Sequence, residues 1–515
     1  MNNIKNKINS KKIKTESNTL GSLKTLFVLI LIAFQAVILI LSYLYFIELF
    51  SGYFTFSIIM TLVACLHVLS SNYNGQAKAT WIFFLAFSLG FGYIIYFLSS
   101  KRFMFAKDRK KYNNIIKNSK FFIKNNLNTT QKEIEHISNY LYESGNFLSY
   151  TNSKTTYYPT GNDLFDEIIE NLKKAKNFIF IEYFIISNGF LLTQILNILK
   201  EKAKNGVDVR IIYDDMGSHR TLKRKTKKDI VASGIKLQSF NRLVPVFNIA
   251  LNLRNHRKIV IIDGEISFTG GANLADEYIN KKPMNGYWKD CGIKIEGSAT
   301  NNFTRSFLQE WQFLTNNKIN YEKFITANNN TTKHTECIIP FVSGPNYSQS
   351  IAQNSLINLI SNAKEKLYIM TPYFIPDETI TNLIINKAQS GVNVKIILPE
   401  ISDKKFVYIV TRNNAEKLIK YGVQIYTANN SFVHSKVFLT DTYSIVGSIN
   451  LDLRSFNQQF ESAVLTTEKQ TLNQIHNDFI VTLSNSTKIT NKNMKRKKLS
   501  FRMLAGVFNI ISPFM

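Results

Sequence analysis

Two parts of this sequence repeat one another, and the duplication constrains the fold more strongly than any other feature. The segment Gly206-Val-Asp-Val-Arg-Ile-Ile-Tyr213 returns, nearly residue for residue, as Gly391-Val-Asn-Val-Lys-Ile-Ile-Leu398. In each copy an apolar, β-prone run comes first, at 177–184 and at 366–374, and a helix-period stretch joins it to the repeated segment. This order is typical of a β-α-β unit, so the sequence predicts an α/β protein made of two tandem units with mixed sheets.

Each copy then leads to the same chemical signature, a His-x-Lys pair followed by an Asp with identical spacing. Residues two apart on a strand face the same way, so the His and the Lys of each copy are expected to project together. The Asp closes the strand, where it can bond backbone amides or the lysine. The two signatures consist of His256, Lys258 and Asp263, and of His434, Lys436 and Asp441.

A turn of small residues and an Asn follow each signature. The first copy has Gly270-Gly271-x-Asn273 and the second has Gly447-Ser448-x-Asn450. Small residues let the backbone approach a ligand closely, and an Asn side chain can donate to a phosphate oxygen. One His and one Lys can hold a phosphate, but cleaving a phosphodiester through a covalent intermediate needs both a nucleophile and an acid. Two copies supply both.

Charge restricts the partner to an anion. The chain has 63 Lys and Arg against 36 Asp and Glu, a formal net charge of +27, which favours nucleic acid or an anionic membrane surface. Composition does not choose between these. The cysteines Cys65, Cys291 and Cys337 are odd in number and lack metal-ligand spacing, so we expect neither a disulfide framework nor a zinc site, and a reducing cytosolic environment.

Three apolar runs near the N-terminus favour the membrane. They are Leu26–Tyr45, Phe54–Ser70 and Trp81–Leu98, and buried core helices are the alternative for the shorter two. Basic residues flank the block on both sides, which would place both flanks in the cytoplasm and require an even number of crossings, in conflict with three runs. The cluster at Lys101–Lys111 directly precedes the catalytic part, so we expect a multi-pass cell-membrane protein whose catalytic part is cytoplasmic.

The paired signatures resemble those of the phospholipase D superfamily, and wider segments resemble the bacterial cardiolipin synthases within it. This resemblance covers essentially everything from Trp81 to the end of the chain. The usual Asn-Phe-Glu after the second signature is here Gln459-Phe460-Glu461, and the family generally has two membrane spans rather than three. The matching segments include Asn255-His-Arg-Lys-Ile-Val-Ile-Ile-Asp-Gly264, Gly286-Tyr-Trp-Lys-Asp290, Thr371-Pro-Tyr-Phe374 and Asp452-Leu-Arg-Ser-Phe456.

The resemblance implies a fold and a mechanism. The fold is a tandem duplicated phospholipase D-type α/β/α unit behind N-terminal transmembrane helices. The reaction moves a phosphatidyl group between two phosphatidylglycerol molecules through a phosphohistidine, with His256 as nucleophile and His434 as acid and base. The implied supporting residues are Lys258, Lys436, Asn273 and Asn450 on the phosphoryl oxygens, with Asp290 and Glu461 orienting the histidines. No metal or other cofactor is needed, because the lysines neutralise charge.

The implied partners are phosphatidylglycerol and anionic membrane lipids, which a basic C-terminal cluster at Lys492–Arg502 would also contact, and not nucleic acid. Alternatives remain: another lipid transferase or a hydrolysing phospholipase D, a superfamily endonuclease, and a catalytically inactive membrane scaffold. The apolar N-terminal block argues against a nuclease, and two intact signatures argue against a scaffold. The expected boundaries are a basic tail at 1–24, transmembrane segments at 25–100, a polar connector at 101–154, a first unit at 155–320 and a second unit at 334–515.

Overall fold

The computed structural model of this protein describes most of the chain, which divides into two units at the boundary between Met104 and Phe105. The predicted basic tail at 1–24 and the C-terminal cluster Lys492–Arg502 lie outside the described residues. The described ranges are 33–41, 47–71, 75–88, 90–99, 106–119, 132–242, 253–282, 284, 286–326 and 336–490.

The N-terminal unit is helical where it is described. Of the run predicted at Leu26–Tyr45, residues 33–41 are helical and the rest lies outside the described part. Among the described helices, one segment, Ser51–Ser70, is long and apolar enough to cross a bilayer. The helices that follow 33–41 are α1 (Ile47–Ser70), α2 (Gly75–Phe87) and α3 (Gly92–Ser99).

The apolar run at Trp81–Leu98 does not form one continuous helix. The structure divides this run into α2 and α3, and Gly90 between them has a φ of +94°. This left-handed conformation suits glycine and cannot continue a right-handed helix. Neither α2 nor α3 alone reaches the length that a bilayer-spanning helix needs.

The second unit contains two sheets, and the first has seven strands in the order β1-β9-β7-β6-β2-β3-β4. Strands β2, β3 and β4 are parallel to one another, whereas β6 is antiparallel to β2. The sheet is therefore mixed, as the sequence predicts. Its strands are β1 (Ser153–Tyr158), β2 (Phe178–Tyr183), β3 (Asp208–Asp214), β4 (Lys236–Phe240), β6 (Lys258–Ile262), β7 (Ile266–Gly270) and β9 (Gly292–Gly297), with β5 (Arg254–Asn255) and β8 (Tyr287–Lys289) outside it.

The second sheet repeats this order as β10-β19-β17-β16-β11-β13-β14, with β20 added at the edge. Seven strands thus correspond one to one between the sheets, which is the tandem duplication that the sequence predicts. The strands are β10 (Ile338–Ser343), β11 (Lys366–Met370), β12 (Phe374–Ile375), β13 (Asn393–Pro399), β14 (Gln424–Ala428), β15 (Ser431–Val433), β16 (Val437–Thr440), β17 (Ser444–Gly447), β18 (Leu451–Asp452), β19 (Gln459–Thr466) and β20 (Ser486–Lys488).

Helices cover the sheets, which is why the central strands read as continuous apolar runs. In β2, Phe178 and Phe180 join a core that extends into the second sheet, whereas Ile179 and Ile181 join a separate core under the helices of the first half. The two halves therefore share one core. The helices are α4 (Ala106–Asn118), α5 (Lys132–Gly145), α6 (Gly161–Lys174), α7 (Phe190–Lys204), α8 (Asp215–Ser218), α9 (Arg224–Ala232), α10 (Thr300–Thr315), α11 (Ile351–Asn362), α12 (Glu378–Gln389), α13 (Lys405–Glu416), α14 (Leu453–Asn457) and α15 (Lys469–Ser484).

Two short parallel pairings join the halves. Strand β5 of the first half pairs with the start of β19, and β15 of the second half pairs with β8. In each pairing, one strand is followed directly by a signature histidine, and its partner strand is followed directly by an acidic residue. The seam between the halves therefore determines which side chains surround the histidines.

Candidate active site

Both signature histidines lie at the seam and are held there by their own backbones. The amide of His256 donates to the carbonyl of Phe460 at 2.8 Å, and the amide of His434 donates to the carbonyl of Lys289 at 2.7 Å. These two carbonyls belong to the residues just before Glu461 and Asp290. The same local arrangement thus occurs twice, with a histidine of the first half bonded to the second half and a histidine of the second half bonded to the first.

Each histidine consequently receives a carboxylate from the opposite half. His256 Nδ1 lies 3.0 and 3.1 Å from the two carboxylate oxygens of Glu461. His434 Nδ1 lies 2.7 Å from Asp290 Oδ2. A hydrogen bond donated from Nδ1 fixes the ring and its tautomer, and leaves Nε2 with the lone pair.

The two carboxylates are accommodated differently. Glu461 also accepts from Ser455 Oγ at 2.5 Å and from the hydroxyl of Ser448. At the position equivalent to Ser448 the first half has Gly271, where an added Cβ would lie 2.2 Å from Asp290 Oδ1. The sequence suggested that these small residues make room for a ligand; the structure shows that they contact the orienting carboxylates.

Burial favours the neutral form of both histidines in this structure. Burial lowers the pKa of His256 well below its usual value, and the positive charges of Lys258 and Lys436 add to this. Burial and the charge of Lys436 lower the pKa of His434 to about 4, although Asp290 opposes the shift. A neutral imidazole with a free Nε2 lone pair can act as a nucleophile or as a base.

The two signature lysines are buried beside the histidines. Lys258 Nζ donates to the carbonyl of His256 at 2.7 Å, and Lys436 Nζ donates to the carbonyl of His434 and lies 2.8 Å from its Nδ1. Burial lowers the pKa of Lys258 well below its usual value and that of Lys436 to about 8. Asp290 and Glu461 oppose these shifts without overcoming burial, so a further anion bound here would stabilise the charged lysines.

Aromatic rings form the walls around the histidines. Phe184 packs edge-on against His256 with ring centroids 5.1 Å apart. Tyr278, Phe432 and Trp288 surround His434 at 5.4, 5.6 and 6.1 Å. These rings explain the burial of both imidazoles, and they provide apolar surface suited to excluding water.

The signature aspartates are not part of this cluster. Asp263 accepts hydrogen bonds from the backbone amides of Lys176, Asn177 and Phe178, and Asp441 does the same for three amides at 364–366. Both lie at the far end of their strands, roughly 20 Å from the histidines at about 3.3 Å per residue. Of the two partners that the sequence left open for each Asp, backbone amides or the lysine, the structure shows the amides, so both aspartates tie adjacent strands together.

The two asparagines lie in the site, but their side-chain amides differ in the hydrogen bonds that they form. Asn273 Nδ2 donates to the hydroxyl of Tyr278 at 2.7 Å, and its Oδ1 accepts from the amide of Ile185 at 3.2 Å. Asn450 Oδ1 is buried and has no partner within the described part of the chain. Contact with a phosphate therefore remains a proposal for both residues.

A buried charged cluster behind His256 was not apparent from the sequence. Arg257 points away from the histidine and lies 3.4 Å from Glu182 and 3.5 Å from Glu310. Tyr112 of α4 donates to Glu310 at 2.7 Å. Helix α4, which the sequence placed in a connector, is thus packed against the back of the site. The sequence does contain one indication of this cluster, the Arg between the signature His and Lys. Because side chains alternate along a strand, this Arg points to the face opposite the His and the Lys.

The described residues contain no group of three or more His, Cys, Asp or Glu side chains that could hold a metal ion.

Comparison with known proteins identifies the family. The family model for the cardiolipin synthase, phospholipase D-like domain matches residues 168–311 and 356–482. The chain belongs to the cardiolipin synthase family. The two matched regions correspond to the two halves of the duplicated unit, each with its own signature.

Several members of this family align over most of the chain. Cardiolipin synthases of Staphylococcus aureus are 33% identical over 84% of this chain and 90% of theirs, and cardiolipin synthase 2 of Staphylococcus epidermidis is 32% identical over 84% and 92%. An uncharacterised protein of Streptococcus mutans is 38% identical over 74% and 82%. The phosphatidylserine synthase structure from Haemophilus influenzae has a TM-score of 0.58, with 14% identity over 75% of this chain and 100% of that one, so the likeness concerns the fold.

The remote position of Asp441 predicts a loss of stability without a loss of chemistry. We expect Asp441→Ala to lower the free energy of unfolding by about 1–3 kcal/mol, because three backbone amides lose their acceptor. Turnover per folded molecule should stay within about twofold of wild type. Thermal unfolding and lipid turnover measure the two effects, and a large drop in turnover of the folded variant would return Asp441 to the catalytic group.

The pH dependence of that stability has a definite sign. Burial raises the pKa of Asp441, but the hydrogen bonds from Glu365, Lys364 and Lys366 outweigh it, so the net pKa is lowered. The stabilisation is therefore present above the unfolded value of about 3.9 and is lost as the pH falls through the folded value. The difference in melting temperature between wild type and Asp441→Ala should shrink below about pH 4.

The buried cluster predicts an effect of Tyr112 on turnover. We expect Tyr112→Phe to lower kcat by about tenfold, because Glu310 loses its donor and Arg257, next to His256, is free to shift. KM should change little. The matched control is Tyr150→Phe, since the buried Tyr150 hydroxyl has no partner among the described residues. Equal losses of kcat in the two variants, at equal melting temperatures, would contradict this positioning role.

Proposed function

We propose that this protein is a membrane-bound cardiolipin synthase that transfers a phosphatidyl group from one phosphatidylglycerol to another and releases glycerol. The observation that carries the proposal is the pair of buried histidines at the seam, each bonded to a carboxylate of the other half. Two such imidazoles, with a buried lysine beside each, are what a two-step phosphodiester exchange requires. The family membership supports the same reaction.

In the first step of this proposal, Nε2 of His256 attacks the phosphorus of the donor lipid. The bond from phosphorus to the glycerol oxygen breaks, and His434 Nε2 gives its proton to that oxygen. Glycerol leaves, and the phosphatidyl group remains on His256 as a phosphohistidine. Glu461 stabilises the positive charge that develops on the attacking ring, because it accepts from Nδ1.

The second step reverses the first with another molecule. A hydroxyl of the acceptor phosphatidylglycerol gives its proton to His434 Nε2 and attacks the phosphorus as the bond to His256 breaks. The product is cardiolipin, and both histidines return to their starting state. Throughout, Lys258 and Lys436 would neutralise the phosphoryl oxygens, with Asn273 and Asn450 as further donors, so the proposal uses no metal ion or other cofactor.

His434 has to take up a proton from solvent when the substrate binds. Burial and Lys436 hold the pKa of His434 at about 4 in this structure, so the ring cannot act as an acid at neutral pH until something raises that value. The donor lipid brings a negative phosphodiester into the site, and an adjacent negative charge favours the protonated imidazole. Substrate binding would thus prepare the acid that the first step needs.

Membrane topology is also a proposal. We infer a multi-pass protein whose catalytic unit faces the cytoplasm, on the basis of the three apolar runs and the basic cluster at Lys101–Lys111. The candidate span Ser51–Ser70 supports membrane association by its length and composition. Substrate lipids of the inner leaflet would then be within reach of the site.

Product analysis tests the proposed reaction. Purified protein supplied with labelled phosphatidylglycerol should yield labelled cardiolipin and free glycerol in equal amounts. Phosphatidic acid in place of cardiolipin would identify a hydrolysing phospholipase D. Cleavage of DNA or RNA with no change in the lipid would identify a nuclease, which the high positive charge would also suit.

The assignment of roles predicts different outcomes for the two histidines. His256→Ala should abolish any covalent lipid adduct, whereas His434→Ala should accumulate one with a donor whose leaving group needs no acid. His476→Ala is a matched control, because His476 stacks on Tyr368 away from the seam. Mass spectrometry of the trapped protein measures the adduct. An adduct on the His256→Ala protein and none on His434→Ala would reverse the assignment.

Proton transfer on binding gives a second test. At pH 6–7, binding of a short-chain phosphatidylglycerol to the His256→Ala protein should take up roughly one proton, because the pKa of His434 rises from about 4 past the working pH. Calorimetry in two buffers of different ionisation enthalpy measures this uptake. His434→Gln in the same background should remove it. Binding heats that do not depend on the buffer would refute the proton-uptake step.

A further inference from the structure

Arg454 is an arginine near His256 that the proposed reaction has not yet used. It lies partly exposed on α14, and its Nε is buried without a hydrogen-bond partner in the described part of the chain. Its guanidinium also forms no ion pair there. A cationic donor that is sheltered from water but lacks an acceptor is unfavourable, and a bound anion would relieve this.

Backbone hydrogen bonds place Arg454 beside the nucleophile. The amide of Gln458 donates to the Arg454 carbonyl at 2.8 Å, and the amide of Arg254 donates to the Gln458 carbonyl at 3.3 Å. Its neighbour Ser455 donates to Glu461, the carboxylate that holds His256. The positive charge of Arg454 also contributes, after burial and the two lysines, to the low pKa of His256.

The negative charges of Asp452 and Asp214 act on Arg454, but neither carboxylate forms an ion pair with it in the described part of the chain. Asp214 lies 3.5 Å from Arg254 Nη1 and accepts from the amides of Gly217 and Asn255. Asp452 accepts from the amide of Ser455 at 2.7 Å and caps α14. Arg254 is fully buried and adds a second positive charge to this side of the site. Arg454 is therefore a partly exposed cation on this side of the site that no carboxylate contacts directly among the described residues.

We propose that Arg454 binds the phosphate of the acceptor phosphatidylglycerol and so selects a second phospholipid over water or a neutral alcohol. This inference rests on the proposed function. The reaction brings two phosphodiesters into the site, and Lys258 and Lys436 serve the one that reacts. The other is joined to the attacking hydroxyl by a three-carbon glycerol, so it has to lie close to His256, and a planar guanidinium suits a phosphate with two parallel hydrogen bonds.

The test compares a charged acceptor with a neutral one. The full-length enzyme, with labelled phosphatidylglycerol as donor in neutral detergent, is given either short-chain phosphatidylglycerol or glycerol as acceptor. In Arg454→Ala the concentration of short-chain phosphatidylglycerol that gives half-maximal transfer should rise roughly tenfold or more. Incorporation of labelled glycerol should change by less than about twofold, and the ratio of phosphatidic acid to cardiolipin should increase. Arg454→Lys should recover part of the preference.

The matched control is Arg210→Ala. Arg210 is paired with Asp208 at the start of β3, whereas Asp214 at the other end of that strand lies near Arg254, so its removal costs one positive charge outside the site. Equal losses with both acceptors in Arg454→Ala, or the same loss of preference in Arg210→Ala, would overturn the inference. If the wild-type enzyme makes no cardiolipin, the proposed function is refuted. If the wild-type enzyme makes cardiolipin and Arg454→Ala keeps the same acceptor preference, this inference alone is refuted.

Discussion

The structure depends on one interaction made twice, the hydrogen bond from the Nδ1 of a histidine to a carboxylate of the opposite half. Glu461 holds His256, and Asp290 holds His434. Each bond is set by a short parallel pairing just before the histidine, so a slip of one residue along the seam would turn the carboxylate to the other face. Neither half can build a complete histidine environment alone, and this explains why the two halves share one core.

The electrostatics of the site follow from that arrangement. Two lysines, two imidazoles and two carboxylates are buried together, and burial pushes the pKa values of the bases down and raises that of Glu461 to about 7. Without a bound anion, burial in this site disfavours the protonated forms of the lysines and the histidines. A phosphodiester supplies the missing negative charge, so substrate binding and the protonation of the acid are linked in one event. The rings around the histidines maintain this coupling because they keep water away.

Local patterns predicted much of the fold. The helix at Phe190–Lys204, the strand at Asp208–Asp214 and their partners in the second half appear where the apolar periods indicated. Two features of the fold were not apparent from local patterns, for physical reasons. Hydrophobicity did not reveal the break at Gly90, because an apolar run can be interrupted by one left-handed residue. Polarity suggested a connector around α4, because its contacts with the catalytic unit depend on Tyr112 and on residues some 200 positions away.

The sequence by itself determined the duplicated unit, the two signatures and the shared direction of each His and Lys, because alternation along a strand is a local property. It also indicated Asp290 and Glu461 as orienting residues. It did not determine which histidine each carboxylate would hold, since both pairings are compatible with the same spacing. In the tertiary structure each histidine is held by the carboxylate of the opposite half, through contacts between residues 144 and 205 positions apart in the sequence. It likewise showed that Asp263 and Asp441 bond backbone amides and not the lysines, because a strand separates its two ends by more than a hydrogen bond can span.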